Sequence, residues 1–504
     1  MSLLLFFVHS LCPSCLCGKI YPNHKDTEGT RETQRKIHFH AILSIPCCLH
    51  SPLIFTKGMK YCFPILAAFV VCFGITVAFA QNFDDLRSAG NGIDVDADGG
   101  VFLLSKEKAE ALGKMMANML EPLPESLNKK VAFRKISLKK LDAQVKAIVD
   151  QYEVLPDTIR YLGGLTSIEY IVAVPEENDL LLIGPAEGWR VDSAGNVVGN
   201  QSGLPVLVFE DFLTILRAWN RTDISRGVVC SIEPTPETVT KLAKLHQQFT
   251  SINANNADAY FAALEETYGN CPITITGVPA QSRFARVLVA ADFKMKQIAL
   301  GLEPSQARNI PSYVSLVSGS RPNISPRFWL VPEYAATTHD SKKLIWRLGD
   351  LKIRVFSNED YLAPRRNVRA TGGTDRAALN WCSKLEENYD GLAKAQPVFG
   401  ELRNNMKLAL ATALIHQENL LQKANCKLMV LLDDAKLKPL DHPIPKSVTY
   451  RSVKSQNGYS TIVACGGIEI NSLGMLRNNL QLDNRIDSER SKLIQTTGDE
   501  WWSQ

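Results

Sequence analysis

Ser167-Ile168-Glu169-Tyr170-Ile171-Val172-Ala173-Val174-Pro175, followed by Leu180-Leu181-Leu182-Ile183-Gly184-Pro185, is the stretch from which the fold is read. Both runs are short, largely apolar at successive positions and bounded by proline, the first rich in β-branched residues and the second in leucine. That pattern predicts strands. The same grammar recurs at Leu204–Phe209, Gly227–Ile232, Ile273–Thr276 and Arg286–Ala290. Several runs stop at or shortly before a proline, as in Val174-Pro175, Gly184-Pro185, Glu233-Pro234 and Val278-Pro279, because proline has no amide hydrogen for a ladder. Helices fall between some of them. Thr235-Pro236-Glu237 reads as a cap, a first-turn proline and an acid at the positive end of the dipole, opening a helix through Val239, Leu242 and Leu245. A second helix runs from Asp258 to Tyr268 and stops at Gly269.

Interleaved strands and helices define an α/β fold, with mixed α+β as the alternative: a mixed sheet flanked by helices, plus a helical C-terminal part. Arg327–Val331, Lys343–Trp346 and Lys352–Phe356 continue the sheet, so the α/β domain is expected over 152–361. A polar, glycine-bearing linker follows at 362–376. A helical and mixed C-terminal domain occupies 377–504, with helices at Ala377–Tyr389 and Leu402–Ala424. The second has an apolar stripe through Leu402, Met406, Ala409 or Leu410, and Ala413 or Leu414. No repeat of solenoid length is present.

Ahead of the α/β domain, 81–151 reads as a hairpin and two helices. Ser105 caps the first helix, carrying Ala109, Leu112, Met116 and Met119. Ser137 caps the second, carrying Leu138, Leu141, Val145 and Ile148. The hairpin is Ile93 and Val95 against Val101–Leu104, with Asp-Gly at the turn. Its sequence, Asp94-Val95-Asp96-Ala97-Asp98-Gly99-Gly100, also matches the opening of a calcium loop. Position twelve is Ser105 where a bidentate Glu belongs, so Asp94, Asp96 and Asp98 are metal candidates on an incomplete pattern and calcium is the one cofactor in view.

Further toward the N-terminus, Met59-Lys60 opens an uncharged run, Tyr61–Ala80, that ends Ala78-Phe79-Ala80 before the polar Gln81-Asn82-Phe83-Asp84-Asp85. A basic start, an apolar middle and small residues at the exit make 59–80 a signal peptide, with cleavage between Ala80 and Gln81. Uncleaved, the run is long enough for a transmembrane anchor, and Lys57 and Lys60 place its N-terminus in the cytoplasm. Residues 1–58 are then expected to be upstream sequence read in frame. Their cysteines and histidines, among them Cys12, Cys15, Cys17, Cys47 and Cys48, fit no zinc spacing.

Of 504 residues, 424 follow Ala80. That length suits two or three domains with sizeable cores. Seven of the 56 basic residues and three of the 52 acidic ones precede Gln81, which leaves 49 of each in the body. Balanced charge argues against a nucleic-acid partner. Seven of the twelve cysteines also precede Gln81, leaving Cys230, Cys271, Cys382, Cys426 and Cys465. In an oxidising compartment one or two disulfides are expected among them.

The body has four histidines, at 246, 339, 416 and 442, and none stands in a metal-ligand spacing. His339-Asp340, in a loop after a strand, is the nearest thing to a catalytic pair. Asp292, expected where the Arg286–Ala290 strand delivers an acid to a helix start, is the third candidate, although an N-cap role explains it better. No GxSxG context accompanies them. Cys465-Gly466-Gly467 offers a thiol beside flexible backbone.

Four segments carry a likeness. Leu182–Trp189, Cys230–Glu237, Arg286–Glu303 and Val463–Ile470 resemble a family of exported planctomycete proteins classed as a domain of unknown function. The resemblance spans roughly Ile93 to Ser472. It implies a bacterial envelope or extracellular setting and brings no activity, cofactor or catalytic residue. The expectation is an exported, periplasmic or extracellular protein, membrane-anchored if the signal stays on, that binds a protein or envelope polymer without being an enzyme. A secreted hydrolase whose site is assembled from distant residues is the alternative, and a calcium-stabilised surface protein the second.

Overall fold

A computed structural model describes residues 92–504, apart from 152, 222, 223, 225, 226, 251, 253, 254, 318–325, 358–375, 455–460, 463, 464 and 496–499. The leader 1–58, the signal segment 59–80 with its cleavage pair Ala80-Gln81, and nearly all of the 362–376 linker lie outside the described residues.

Strands, numbered in chain order, build two large mixed sheets. The first runs β1 (Ile93–Val95), β2 (Gly100–Leu103), β14 (Ser447–Thr449), β9 (Asn270–Thr276), β8 (Val228–Ile232), β17 (Cys465–Ile470), β10 (Arg327–Tyr334), β13 (Leu351–Ser357). The second runs β18 (Leu480–Leu482), β11 (Thr337–His339), β12 (Ile345–Arg347), β4 (Tyr170–Val174), β5 (Asp179–Ala186), β3 (Val131–Ser137), β19 (Trp502–Ser503). β10 is parallel to β17, β14 to β2 and β11 to β18, and the remaining pairs are antiparallel. Two small ribbons pair β6 (Trp189–Val191) with β7 (Val197–Gly199) and β15 (Val453–Lys454) with β16 (Thr461–Ile462). The fold is therefore α/β with mixed sheets, as the interleaved pattern predicts.

Local signals decide many boundaries. Ser105, Ser137 and Thr235 each accept a backbone N–H in the first turn of the helix they precede, at Lys106–Met119, Leu138–Asp150 and Pro236–Gln248. The Asp-Gly turn closes β1 on β2. Gly269, at φ +54, ends the Ala257–Tyr268 helix. All of β4 is buried, and so is β5 except at Pro185, in keeping with runs that never alternate.

Three expectations are corrected. Arg286–Ala290 is helix: it lies inside Arg283–Leu300, in which every residue from Phe284 onward is buried. A helix covered on all sides has no polar face, so its 3.6-residue period is invisible and a β-branched run inside it reads as a strand. Asp292 is consequently in mid-helix, and the N-cap is Ser282. Leu204–Phe209 forms no strand, only a bridge from Pro205 to Val198, and Phe209 opens the Phe209–Ala218 helix. Finally, β5 passes through Pro185 because the β3–β5 register shifts there, and a bulge has no need of the missing amide.

The C-terminal stretch enters both sheets. β17 lies between β8 and β10, β14 between β2 and β9, and β18 and β19 form the edges of the second sheet. Residues 152–361 and 377–504 thus share their sheets. The Arg283–Leu300 helix lies on β8 and β17 and packs against the Phe209–Ala218 and Pro397–Gln417 helices. Their apolar side chains join one continuous core, each fully buried Leu, Ile, Val or Phe stabilising by about 1.5–3 kcal/mol.

The five body cysteines are buried and none is in a disulfide, so the expected bridges are not formed. β8 separates the strands of Cys271 and Cys465. Two strand spacings are roughly 9.5 Å, beyond the roughly 7 Å that a disulfide spans between Cα atoms.

Candidate functional site

A cleft of about 810 Å³ opens where three helices and a long loop converge. Phe209–Ala218 contributes Phe209, Glu210, Leu213 and Arg217, the start of Arg283–Leu300 contributes Arg283, Pro397–Gln417 contributes Glu401, and the loop contributes His442. Apolar side chains including Leu213, Ile275, Val278 and Leu437 make much of the wall. Val154 and Leu440, 76% and 41% exposed, are apolar groups of the same lining left open to solvent.

The charged end is built from helix termini. Glu210 and Asp211 sit in the first turn of Phe209–Ala218, where the partial positive charge of the dipole favours acids. Arg283 opens its own helix, where a cation is disfavoured, and it stays because two carboxylates hold it. Nη1 donates to Asp211 and Nη2 to Glu401. Asp211 is almost fully buried, and burial pushes its carboxyl up to about 7 against the opposing pull of Arg283. Burial also raises Glu401, again opposed by Arg283. Burial by itself lowers the guanidinium, but Asp211, Glu401 and Glu210 together outweigh it and raise Arg283. His442 Nε2–H donates to Glu210 Oε1 at 2.6 Å. His442 Nδ1 and Asp211 Oδ1 are buried without a hydrogen-bond partner, and buried polar atoms in folded proteins are rarely left so.

The loop that brings in His442 is tied at both ends. Asp142 accepts the backbone N–H groups of Met429, Val430 and Leu431 at 2.8–2.9 Å. Arg217 Nε donates to Leu431 O at 2.7 Å, Nη1 donates to Leu437 O at 3.1 Å and also meets Asp434 at 2.8 Å. The His442 amide donates to Gln281 O at 2.9 Å, just before the Arg283 helix.

The residues singled out from sequence stand elsewhere. Asp292 is fully buried and takes the Lys296 ammonium at 2.7 Å, one turn on. Burial pushes its carboxyl up to about 6, Lys296 opposing. Lys296 also donates to Gly466 O, so this pair serves the first sheet. His339 and Asp340 belong to the second sheet and form no dyad. Asp340 Oδ1 accepts from the amides of Leu344 and Ile345 at 2.6 and 2.8 Å, closing the turn to β12, while His339 Nδ1 lies 2.7 Å from the Asp340 carbonyl. Asp292 is therefore not brought together with His339 and Asp340 by any of these bonds. Asp96 Oδ1 accepts from Asp98 N and Gly100 N within the hairpin turn, and Asp94 pairs with Lys108. Among the described residues no group of three or more His, Cys, Asp or Glu could hold a metal ion. Nor, among them, is any helix long and apolar enough to cross a membrane; Tyr61–Ala80 lies outside them.

Sequence reasoning missed Glu210, Asp211, Arg283, Glu401 and His442. The Glu210-Asp211 pair at a helix start was a readable signal, but reading Leu204–Phe209 as a strand hid that start.

Residues 230–313 match the family model described as "Protein of unknown function (DUF1598)". The matched stretch runs from β8 through the Arg283–Leu300 helix to Tyr313, and it includes Arg283 and the Val278–Ser282 edge of the cleft. No curated protein and no solved structure matches the chain.

Proposed function

We propose that the protein is exported by the segment Tyr61–Ala80 and binds a small organic molecule in the cleft beside His442. The observation that carries this is the cleft itself. Its size falls in the range of small-molecule sites, and it joins an apolar wall to a few convergent polar groups, the pattern such sites share. The exposed Val154 and Leu440 support it, since apolar groups at the rim of a cleft are covered when a ligand enters. A crystallographic soak of a diverse fragment library tests the binding role. Fragments gathering in the cleft support it, and an empty cleft with hits only elsewhere sinks it. Export is tested by mass spectrometry of fractionated host cells. A terminus at Gln81 in the envelope or medium supports it, and an unprocessed chain in the cytosol overturns it.

The Glu210–His442 hydrogen bond favours a second reading, a hydrolase. A carboxylate that fixes a ring nitrogen leaves the other nitrogen able to take a proton from water. Turnover of p-nitrophenyl esters or glycosides that disappears in His442→Ala would support it. Turnover indifferent to that substitution, or none across the panel, counts against it.

A further inference from the structure

The charged end of the cleft is unevenly balanced. Glu210 and Glu401 in the lining, with Asp211 bonded to Arg283 outside it, bring three carboxyl groups against one guanidinium from Arg283 and one imidazole from His442. Elsewhere in the wall the cations are engaged. Arg160 meets Asp157 at 3.3 Å, Arg217 meets Asp434 at 2.8 Å, Lys438 lies 3.9 Å from Asp441, and Arg221 is likewise engaged. The surplus of acid is thus local to the end that holds His442.

Hydrogen-bonding capacity points the same way. Both arms of Arg283 are spent on Asp211 and Glu401, and His442 Nε2–H is spent on Glu210. What remains without a partner is His442 Nδ1 in the lining and Asp211 Oδ1 outside it. Both side chains are more than nine-tenths buried. With Nε2–H given to Glu210, Nδ1 presents a lone pair, so both are acceptors. A ligand group that completes this end supplies N–H donors and positive charge, and a primary ammonium supplies three donors with one charge. The rest of the lining, including Phe209, Leu213, Ile275 and Val278, suits an apolar body.

Resting on the reading of the cleft as a binding site, we infer that its ligand carries a protonated amine on an apolar body, the ammonium lying against Glu210 and His442. Arg283 acts as the positioning group that holds Glu401 at the lining by bonding it together with Asp211.

The test is calorimetric titration of the full chain at neutral pH with three probes of one skeleton, 4-phenylbutylamine, 4-phenylbutanol and 4-phenylbutanoate. Thr214→Trp, which places a large ring in the wall, serves as the blocked control. The expected result is saturable amine binding at least roughly tenfold tighter than either analogue, a difference of about 1.4 kcal/mol, abolished by Thr214→Trp. Glu210→Gln, which retains an acceptor for His442, should erase the preference, and His442→Leu repeats the comparison if that variant does not fold. If the alcohol or acid binds as tightly as the amine and Thr214→Trp blocks it, the amine proposal falls and the cleft reading stands. If no probe shows binding that Thr214→Trp removes, both fall. A preference unchanged in a folded Glu210→Gln or His442→Leu protein also overturns the amine.

Discussion

Arg283 Nη1 donates to Asp211, joining the first residue of one buried helix to the first turn of another. Nη2 reaches Glu401 on a third helix, so one guanidinium fixes the mutual position of three elements around the cleft. Removing one partner of a buried charge group strands the others, at a cost of about 3–5 kcal/mol. Arg283→Met is expected to lose that much stability in urea unfolding at neutral pH. A loss below about 1 kcal/mol, the size of an ordinary substitution, would show that the cluster contributes little.

Asp211 sets a pH dependence. Its carboxyl is raised from 3.8 to about 7 in the folded protein, chiefly by burial. Between those values the folded state holds the proton more tightly than the unfolded chain, so this group stabilises at low pH and its contribution is lost as pH rises through about 7. Asp211→Asn cannot titrate. Its stability relative to the parent should therefore improve as pH rises from about 4 to 7, read from unfolding curves at several pH values, and a difference constant over that window would refute the assignment.

Asp142 anchors the loop that carries His442. Asp142→Ala strands three backbone amides at Met429, Val430 and Leu431. Each buried donor left unsatisfied costs about 1–3 kcal/mol, so a total loss of roughly 3 kcal/mol or more is expected, with faster proteolysis in 429–442. Wild-type cleavage kinetics in that loop would contradict the anchoring role.

Gly466 stands where β17 meets β10, at φ +107, and an added Cβ would lie 2.0 Å from Phe328 O. Both the backbone angle and the close approach exclude a side chain. Gly466→Ala should fold poorly, losing more than about 3 kcal/mol. A melting temperature within a degree or two of the parent would mean that β17 and β10 adjust.

Burial raises the thiols of Cys230, Cys271, Cys426 and Cys465, pushing Cys271 up to about 11 and both Cys426 and Cys465 up to about 12. The thiolate is the reactive form. Site-resolved differential alkylation of the native protein at pH 8 should leave these four unlabelled, all becoming reactive in denaturant. Rapid native labelling of Cys465 would revive it as a functional thiol.

Much of the fold was legible where the signal is local. Ser105, Ser137 and Thr235 cap their helices because a short oxygen-bearing side chain one residue ahead of a helix meets a free amide. The unbroken apolar runs at Tyr170–Val174 and Leu180–Ile183 marked strands, and the structure shows both to be buried. Reading failed where burial is complete on every side, as in Arg283–Leu300, because periodicity needs a polar face. Even there Ser282 and Gly301 bracket the element in the cap positions that helices favour. The candidate site was less legible. Glu210, Arg283, Glu401 and His442 come from four separate segments, and no spacing in the chain records that they meet.

By itself the sequence determined the α/β class, the starts of the helices that Ser105, Ser137 and Thr235 cap, and the balanced charge of the body, since these follow from nearest-neighbour sterics, capping and side-chain chemistry. Tertiary structure alone decided that β17 enters between β8 and β10, that the five body thiols form no disulfide, that Asp211 and Glu401 meet on Arg283, and that His442 meets Glu210. Those outcomes depend on contacts between residues tens to hundreds of positions apart, whose energies appear only once burial has removed the groups from water.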